Sequence, residues 1–135
     1  MTQSTVLITG ASTGIGAVYA ERFASRGHNL VLVARDKTKL DSLAERLRHE
    51  RGISVDVLPA DLTQAEDLTA VEARLRDDAR IGILINNAGV GQSGNFIGQQ
   101  PDAIERLIAL NITALTRLAR AAAARFVEAG EGAIV

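Results

Sequence analysis

A chain of 135 residues is long enough for one packed domain and too short for two. It is 47% hydrophobic and carries 15 Lys and Arg against 16 Asp and Glu, with no basic stripe or aromatic ladder, a globular composition that argues against a nucleic-acid partner. Cysteine is absent and the two histidines, His28 and His49, lie far apart, so disulfides are excluded and no metal site is expected.

The N-terminus, Met1-Thr2-Gln3-Ser4, has no basic region ahead of its brief apolar run, so no signal peptide is expected. No uninterrupted apolar run approaches the roughly 18 residues of a membrane span, so no membrane partner is expected and the expected location is cytoplasmic. Thr5–Thr9, around Val6-Leu7-Ile8, reads as the first strand. Thr9-Gly10-Ala11-Ser12-Thr13-Gly14-Ile15-Gly16 then forms a glycine-rich turn into a helix through Ala17–Ala24. Strand, turn and helix in that order place free helix N–H groups and the positive end of a helix dipole beside a loop with few side chains, a setting for phosphate. The spacing is G-x3-G-x-G rather than the commoner G-x-G-x-x-G. Gly10 permits the tight turn, Gly14 lets backbone approach a pyrophosphate, and Gly16 lets helix pack close to strand. Ser12 and Thr13 offer hydroxyl donors.

Leu30–Ala34 is the second strand, and Arg35 follows it 19 residues after Gly16. An acid at that place binds adenosine ribose hydroxyls, whereas an arginine suits a 2′-phosphate, so NADP(H) is preferred over NAD(H). Asp36 is either that ribose acid or the N-cap of the next helix. Lys37 either adds charge nearby or is a solvated first-turn lysine. Leu40, Leu43, Ala44 and Leu47 give that helix one apolar stripe.

Ser54–Leu58 is the third strand, followed by Asp61, either an acceptor for an adenine amino group or a turn residue. The next helix opens at Thr63 with Glu66 three residues on, a capping box, and buries Leu68, Val71 and Leu75. Ile81–Asn86 is the fourth strand, ending in Asn86-Asn87-Ala88-Gly89, which suits a chain passing under a ligand or simply ends the strand. The glycine-rich loop Gly89–Gln100 either borders a site at the strand carboxyl ends or is a flexible connection. A long helix runs from Pro101 to Gly130, and a fifth strand begins at Gly132-Ala133-Ile134-Val135. The alternation predicts an α/β fold, a doubly wound parallel sheet with helices on both faces, with the chain ending after the start of the fifth strand. Asn111 shares a helical face with Ile104, Ile108 and Leu115, and is either a core amide setting helix register or a site residue.

Three of these segments in this order resemble the classical short-chain dehydrogenase/reductase family. Thr9–Gly16 is similar to its TGxxxGxG loop, Asn86-Asn87-Ala88-Gly89 to its NNAG signature, and Leu110-Asn111-Ile112 to the segment carrying its catalytic asparagine. The resemblance covers residues 1–135. It implies a Rossmann-like nucleotide-binding domain, and hydride transfer between NAD(P)(H) and a small carbonyl or alcohol substrate. By the same resemblance Gly10, Ser12, Thr13, Gly14, Ile15 and Gly16 hold pyrophosphate and ribose, Arg35 meets the 2′-phosphate, and Asp61 and Leu62 flank adenine. Asn87, Ala88 and Gly89 line the adenosine ribose side, and Asn111 belongs to the proton relay. The family also uses a serine and a Tyr-x-x-x-Lys pair, whose lysine lowers the tyrosine pKa. The single tyrosine here, Tyr19, is followed four residues later by Phe23. The chain therefore reads as the N-terminal half of a longer enzyme, inactive alone, with a non-catalytic NADP(H)-binding module as the alternative. The apolar arc of helix 101–129 and the resemblance together predict a homodimer or homotetramer of the parent through that helix, and an exposed apolar patch.

Overall fold

Five short runs rich in Val, Ile and Leu pair side by side in the computed structural model, which describes residues 3–135. The expectation about a signal peptide rests partly on Met1 and Thr2, which lie outside the described residues. The strands are β1 (Thr5–Thr9), β2 (Leu30–Ala34), β3 (Val55–Pro59), β4 (Ile81–Ile85) and β5 (Ala133–Ile134). All pair in parallel, in the order β3-β2-β1-β4-β5. The chain steps outward from β1 to β3, then returns to lay β4 on the other side of β1. That reversal opens a crevice at the carboxyl ends of β1 and β4, where sheets of this kind take ligands.

Side-chain alternation sorts the strands into two cores. Val6, Ile8, Leu30 and Leu32 face α1 (Gly14–Ser25) and α2 (Lys37–Arg51), meeting Ala20, Ala24, Leu40, Leu43, Ala44 and Leu47. Leu7, Val31 and Val33 face α3 (Ala65–Asp77) and α5 (Leu115–Ala129), meeting Leu68, Val71, Leu75, Leu118, Ala122 and Phe126. Each fully buried Leu or Val contributes about 1.5–3 kcal/mol relative to exposure. A register slip between Thr5 and Val6, opposite Gly82, lets Ile81 and Leu84 share the α3–α5 face although three residues apart.

The doubly wound parallel sheet is the one expected. Its details differ at four places. β3 is Val55–Pro59, one residue later than read; proline is tolerated there because β3 is an edge strand. β4 stops at Ile85, before Asn86. The Thr63–Glu66 capping box does not form. α3 starts at Ala65 behind an N-cap Gln64 with no side-chain cap, because Thr63 instead turns back onto Asp61. Residues 101–129 are not one regular helix but α4 (Pro101–Ile108), a wide π-helical segment (Ala109–Ala114) and α5. By length and composition this stretch is apolar enough to cross a membrane, which counting uninterrupted runs did not register. One flank of it, Ala114, Leu118, Ala122 and Phe126, packs into the core, while Ile108, Ile112 and Leu115 remain exposed at 44, 56 and 40%.

Candidate functional site

Thr9 is the last residue of β1 and is 1% exposed. A buried hydroxyl must find partners, and this one finds three. Its Oγ1 donates to the Ile85 carbonyl (3.4 Å) and accepts from the Asn87 and Ala88 amides at 3.0 and 2.9 Å. The Asn87 side chain returns the link, Nδ2 donating to the Thr9 and Gly10 carbonyls at 3.2 and 3.1 Å. The end of β4 is thereby stitched to the turn after β1. Gly10 holds a left-handed φ of 63° at that seam. Gly16 sits beneath it, where a Cβ would lie 2.0 Å from the Gly10 carbonyl oxygen and 2.6 Å from Asn87 Nδ2. Nothing larger than glycine fits there.

The seam is the floor of a cleft of about 750 Å³. Gly10, Ser12, Thr13 and Ile15 form one wall. α1 begins at Gly14, and the Thr13 side chain does not cap it. Its first-turn amides have no intrahelical partner and sit at the positive end of the helix dipole. Gly14 and Gly16 do not line the cleft themselves. Gly16 acts from below, and Gly14 stands at the open turn with nothing within 4 Å of a Cβ position. Asn87, Ala88 and Gly89 complete the floor.

The opposite wall is made of side chains from the ends of β2 and β3, from the first turn of α2 and from α4: Arg35, Lys39, Asp61, Leu62 and Arg106. Arg35 is exposed and makes no ion pair among the described residues. Asp36 caps α2, its Oδ1 accepting from the Lys39 amide at 3.0 Å. Lys37 is turned into an i,i+4 pair with Asp41 at 2.5 Å and does not line the cleft, whereas Lys39 does.

Asp61 Oδ1 accepts from the Thr63 amide (3.0 Å) and hydroxyl (2.6 Å), and Arg106 lies 3.6 Å from its Oδ2. Partial burial pushes this carboxyl up. The two Thr63 hydrogen bonds and the Arg106 and Arg35 charges outweigh that and hold it below the ordinary carboxylate value. Asp61 is thus both a turn residue and a charged group of the cleft wall.

Asn111 lies outside the cleft lining, in the π-helical segment. Its Oδ1 accepts from the Val90 amide at 2.9 Å and its Nδ2 donates to the Val90 carbonyl at 2.7 Å. Both ends of the amide are used on one residue of the loop that follows β4. Of that loop, Gly89 and Val90 border the cleft. The remainder folds on itself, with Gly98 N donating to Asn95 Oδ1 at 2.8 Å and Gln99 Nε2 to the Ser93 carbonyl at 2.7 Å.

Three residues escaped the sequence reading: Thr9, Lys39 and Arg106. A hydroxyl closing an apolar strand was the available signal for Thr9. Lys39 required the phase of α2 from its Asp36 cap. Arg106 had no signal short of the fold.

Residues 4–135 match the family model described as short chain dehydrogenase. The chain is 63% identical to the bulky-bulky ketone specific alcohol dehydrogenase from Comamonas testosteroni, with a TM-score of 0.97, covering 99% of this chain and 54% of that one. It is 70% identical to a short-chain dehydrogenase from Sphingobium yanoikuyae in complex with NADPH, with a TM-score of 0.96, covering 97% and 51%. It is 32% identical over 134 residues to a very-long-chain 3-oxoacyl-CoA reductase from Anas platyrhynchos, covering 96% of this chain and 43% of the reductase. The chain therefore spans about half the length of these relatives.

Proposed function

The chain belongs to the short-chain dehydrogenase family, and on that premise we propose that it is the cofactor-holding part of an NADP(H)-dependent oxidoreductase acting on a carbonyl or alcohol. The observation that carries this reading is that one cleft holds two separate places for anions. One is the uncapped start of α1, with the Ser12 and Thr13 hydroxyls beside it. The other is Arg35, which makes no ion pair among the described residues, together with Lys39 across the cleft. A dinucleotide with a diphosphate and a 2′-phosphate asks for both.

The residues present fit that group. Gly16 clears the ground on which the turn sits, and Gly10 to Gly16 supply donors without bulk. Asp61 and Leu62 stand where adenine would lie, and Asn87, Ala88 and Gly89 underlie the adenosine ribose. When bound, the nicotinamide supplies or accepts a hydride. These residues bind the cofactor and orient it. Asn111, by tying Val90 to the π-helical segment, keeps the floor beyond Gly89 in place, and we assign it to the proton relay. No Tyr-x-x-x-Lys pair occurs in the 135 residues, so the proton-donating pair of the family is not among them. The similarity to a ketone-specific alcohol dehydrogenase supports a bulky ketone or secondary alcohol as the substrate class.

A titration of the intact protein with NADPH and NADH tests the reading. NADPH should bind more tightly, and Arg35→Asp should weaken it about 10- to 100-fold, the loss expected of a charge-assisted phosphate contact, with NADH little changed. Equal affinities, or an indifferent Arg35→Asp, overturn the NADP(H) preference. The second reading is a non-catalytic NADP(H)-binding module. NADPH-dependent turnover of a ketone by the intact protein excludes that one.

A further inference from the structure

α4 fully buries none of its eight residues, yet the Arg106 side chain lines the cleft. Arg106 Nη1 donates to Thr63 Oγ1 at 3.4 Å, and Nη2 lies 3.6 Å from Asp61 Oδ2. Thr63 donates from its amide and its hydroxyl to Asp61 Oδ1. The two oxygens of this carboxylate are therefore unlike. Oδ1 is committed inside the turn. Oδ2 accepts no hydrogen bond among the described residues, and Arg106 approaches it at more than hydrogen-bond length. Asp61 and Arg106 line the same cleft, so Oδ2 keeps lone pairs available there.

We infer that Arg106 is a positioning residue for base recognition: it fixes Asp61 Oδ2 as the acceptor at this end of the cleft, which then selects a purine carrying an exocyclic amine over one carrying a carbonyl. The inference rests on reading the cleft as an adenine-dinucleotide site. An amine at purine C6 donates to the fixed oxygen. A carbonyl at C6 sets acceptor against acceptor and leaves Oδ2 without a donor at that position. A guanidinium suits the task because its planar fork reaches two oxygens on two residues at once, whereas an ammonium is a single point of charge.

The probes are NADPH and its hypoxanthine counterpart, titrated against the intact protein by nicotinamide fluorescence. The wild-type protein should favour the adenine form by about tenfold, the value of one hydrogen bond to a charged acceptor. Arg106→Met should cut that ratio to about threefold or less, and Arg106→Lys should restore only part of it. The NADPH-to-NADH ratio, set at the Arg35 end, should hold in both variants. Equal weakening of the adenine and hypoxanthine forms overturns the inference, since it marks Arg106 as a mere anchor for α4. So does an unchanged ratio, or a wild-type protein indifferent to the base. A wild-type protein that binds neither dinucleotide overturns the cofactor reading and this inference together.

Discussion

The two walls of the cleft are built from different materials. The wall and floor at β1 and β4 are backbone: a glycine turn, a helix start and the seam through Thr9 and Asn87, with Gly16 so tightly placed that a methyl group overlaps the Gly10 carbonyl. The wall at β2, β3, α2 and α4 is made of side chains, the exposed Arg35 and Lys39, the half-buried Asp61 and Arg106 and the buried Leu62. The first wall is also part of what holds the sheet together, because its hydrogen bonds join β1 to β4. The charged side chains of the second, unlike its core residue Leu62, are set on the fold rather than packed inside it. Substitutions in the first should therefore cost stability, and substitutions in the second should cost affinity.

The hardest blow to the backbone wall is Gly16→Ala. The added Cβ meets a carbonyl oxygen and an amide nitrogen that are themselves fixed, so neither moves aside at little cost. A loss of about 3 kcal/mol or more is expected, a large share of the stability of a domain this size. Urea denaturation followed by circular dichroism measures it. A midpoint within error of wild type would show that the floor yields, and would erase the distinction between the walls.

Next comes Thr9→Val, which keeps the shape and removes the hydroxyl. The Asn87 and Ala88 amides lose their acceptor in a part-buried site, and about 2–4 kcal/mol is expected for two unsatisfied donors. Thr9→Ser, which retains the oxygen, should recover most of it. By contrast Arg35→Asp should move the same denaturation midpoint little, since exposed substitutions stay within about 0.5 kcal/mol. A large destabilisation by Arg35→Asp breaks the comparison from the other side.

The same contrast decides what was legible in the sequence. The backbone wall could be read because its geometry demands one residue type: a positive φ at Gly10 and a close approach at Gly16 leave no substitute. The parallel sheet with helices on both faces was legible from the alternation of short apolar runs with helices, whereas the strand order comes from the structure. The side-chain wall was only half readable. Arg35 was found from its place at the end of β2. Only Lys37 was weighed there, and the Asp36 cap fixes a phase of α2 that sends Lys37 to Asp41 and Lys39 to the cleft. The Thr63–Glu66 pattern misled because Asp61, two residues upstream, competes for Thr63 and wins both of its donors. The π-helical segment around Asn111 had no signature, as no residue type requires one. Its asparagine grips Val90 of the loop that follows β4.

The mildest prediction separates two charges within the cleft by pH. Asp61 is held below the ordinary carboxylate value of about 3.9, so it is ionised throughout pH 5–7, and what its charge contributes is lost only as the pH falls through that lower folded value. The groups facing it are Thr63, Arg106, Arg35 and the Asp67 carboxylate that accepts from its amide at 2.7 Å. A 2′-phosphate monoester, however, gains a proton near pH 6 and passes from two charges toward one. Lowering the pH from 7 to 5 should therefore weaken NADP⁺ binding about three- to tenfold through the Arg35–Lys39 end. NAD⁺ binding should stay level over the same range, since neither its diphosphate nor Asp61 changes charge. Parallel decline of NADP⁺ and NAD⁺ would place the titrating group at the backbone wall or at Asp61 instead, and the division of labour between the walls would fail at the point where it is most finely drawn.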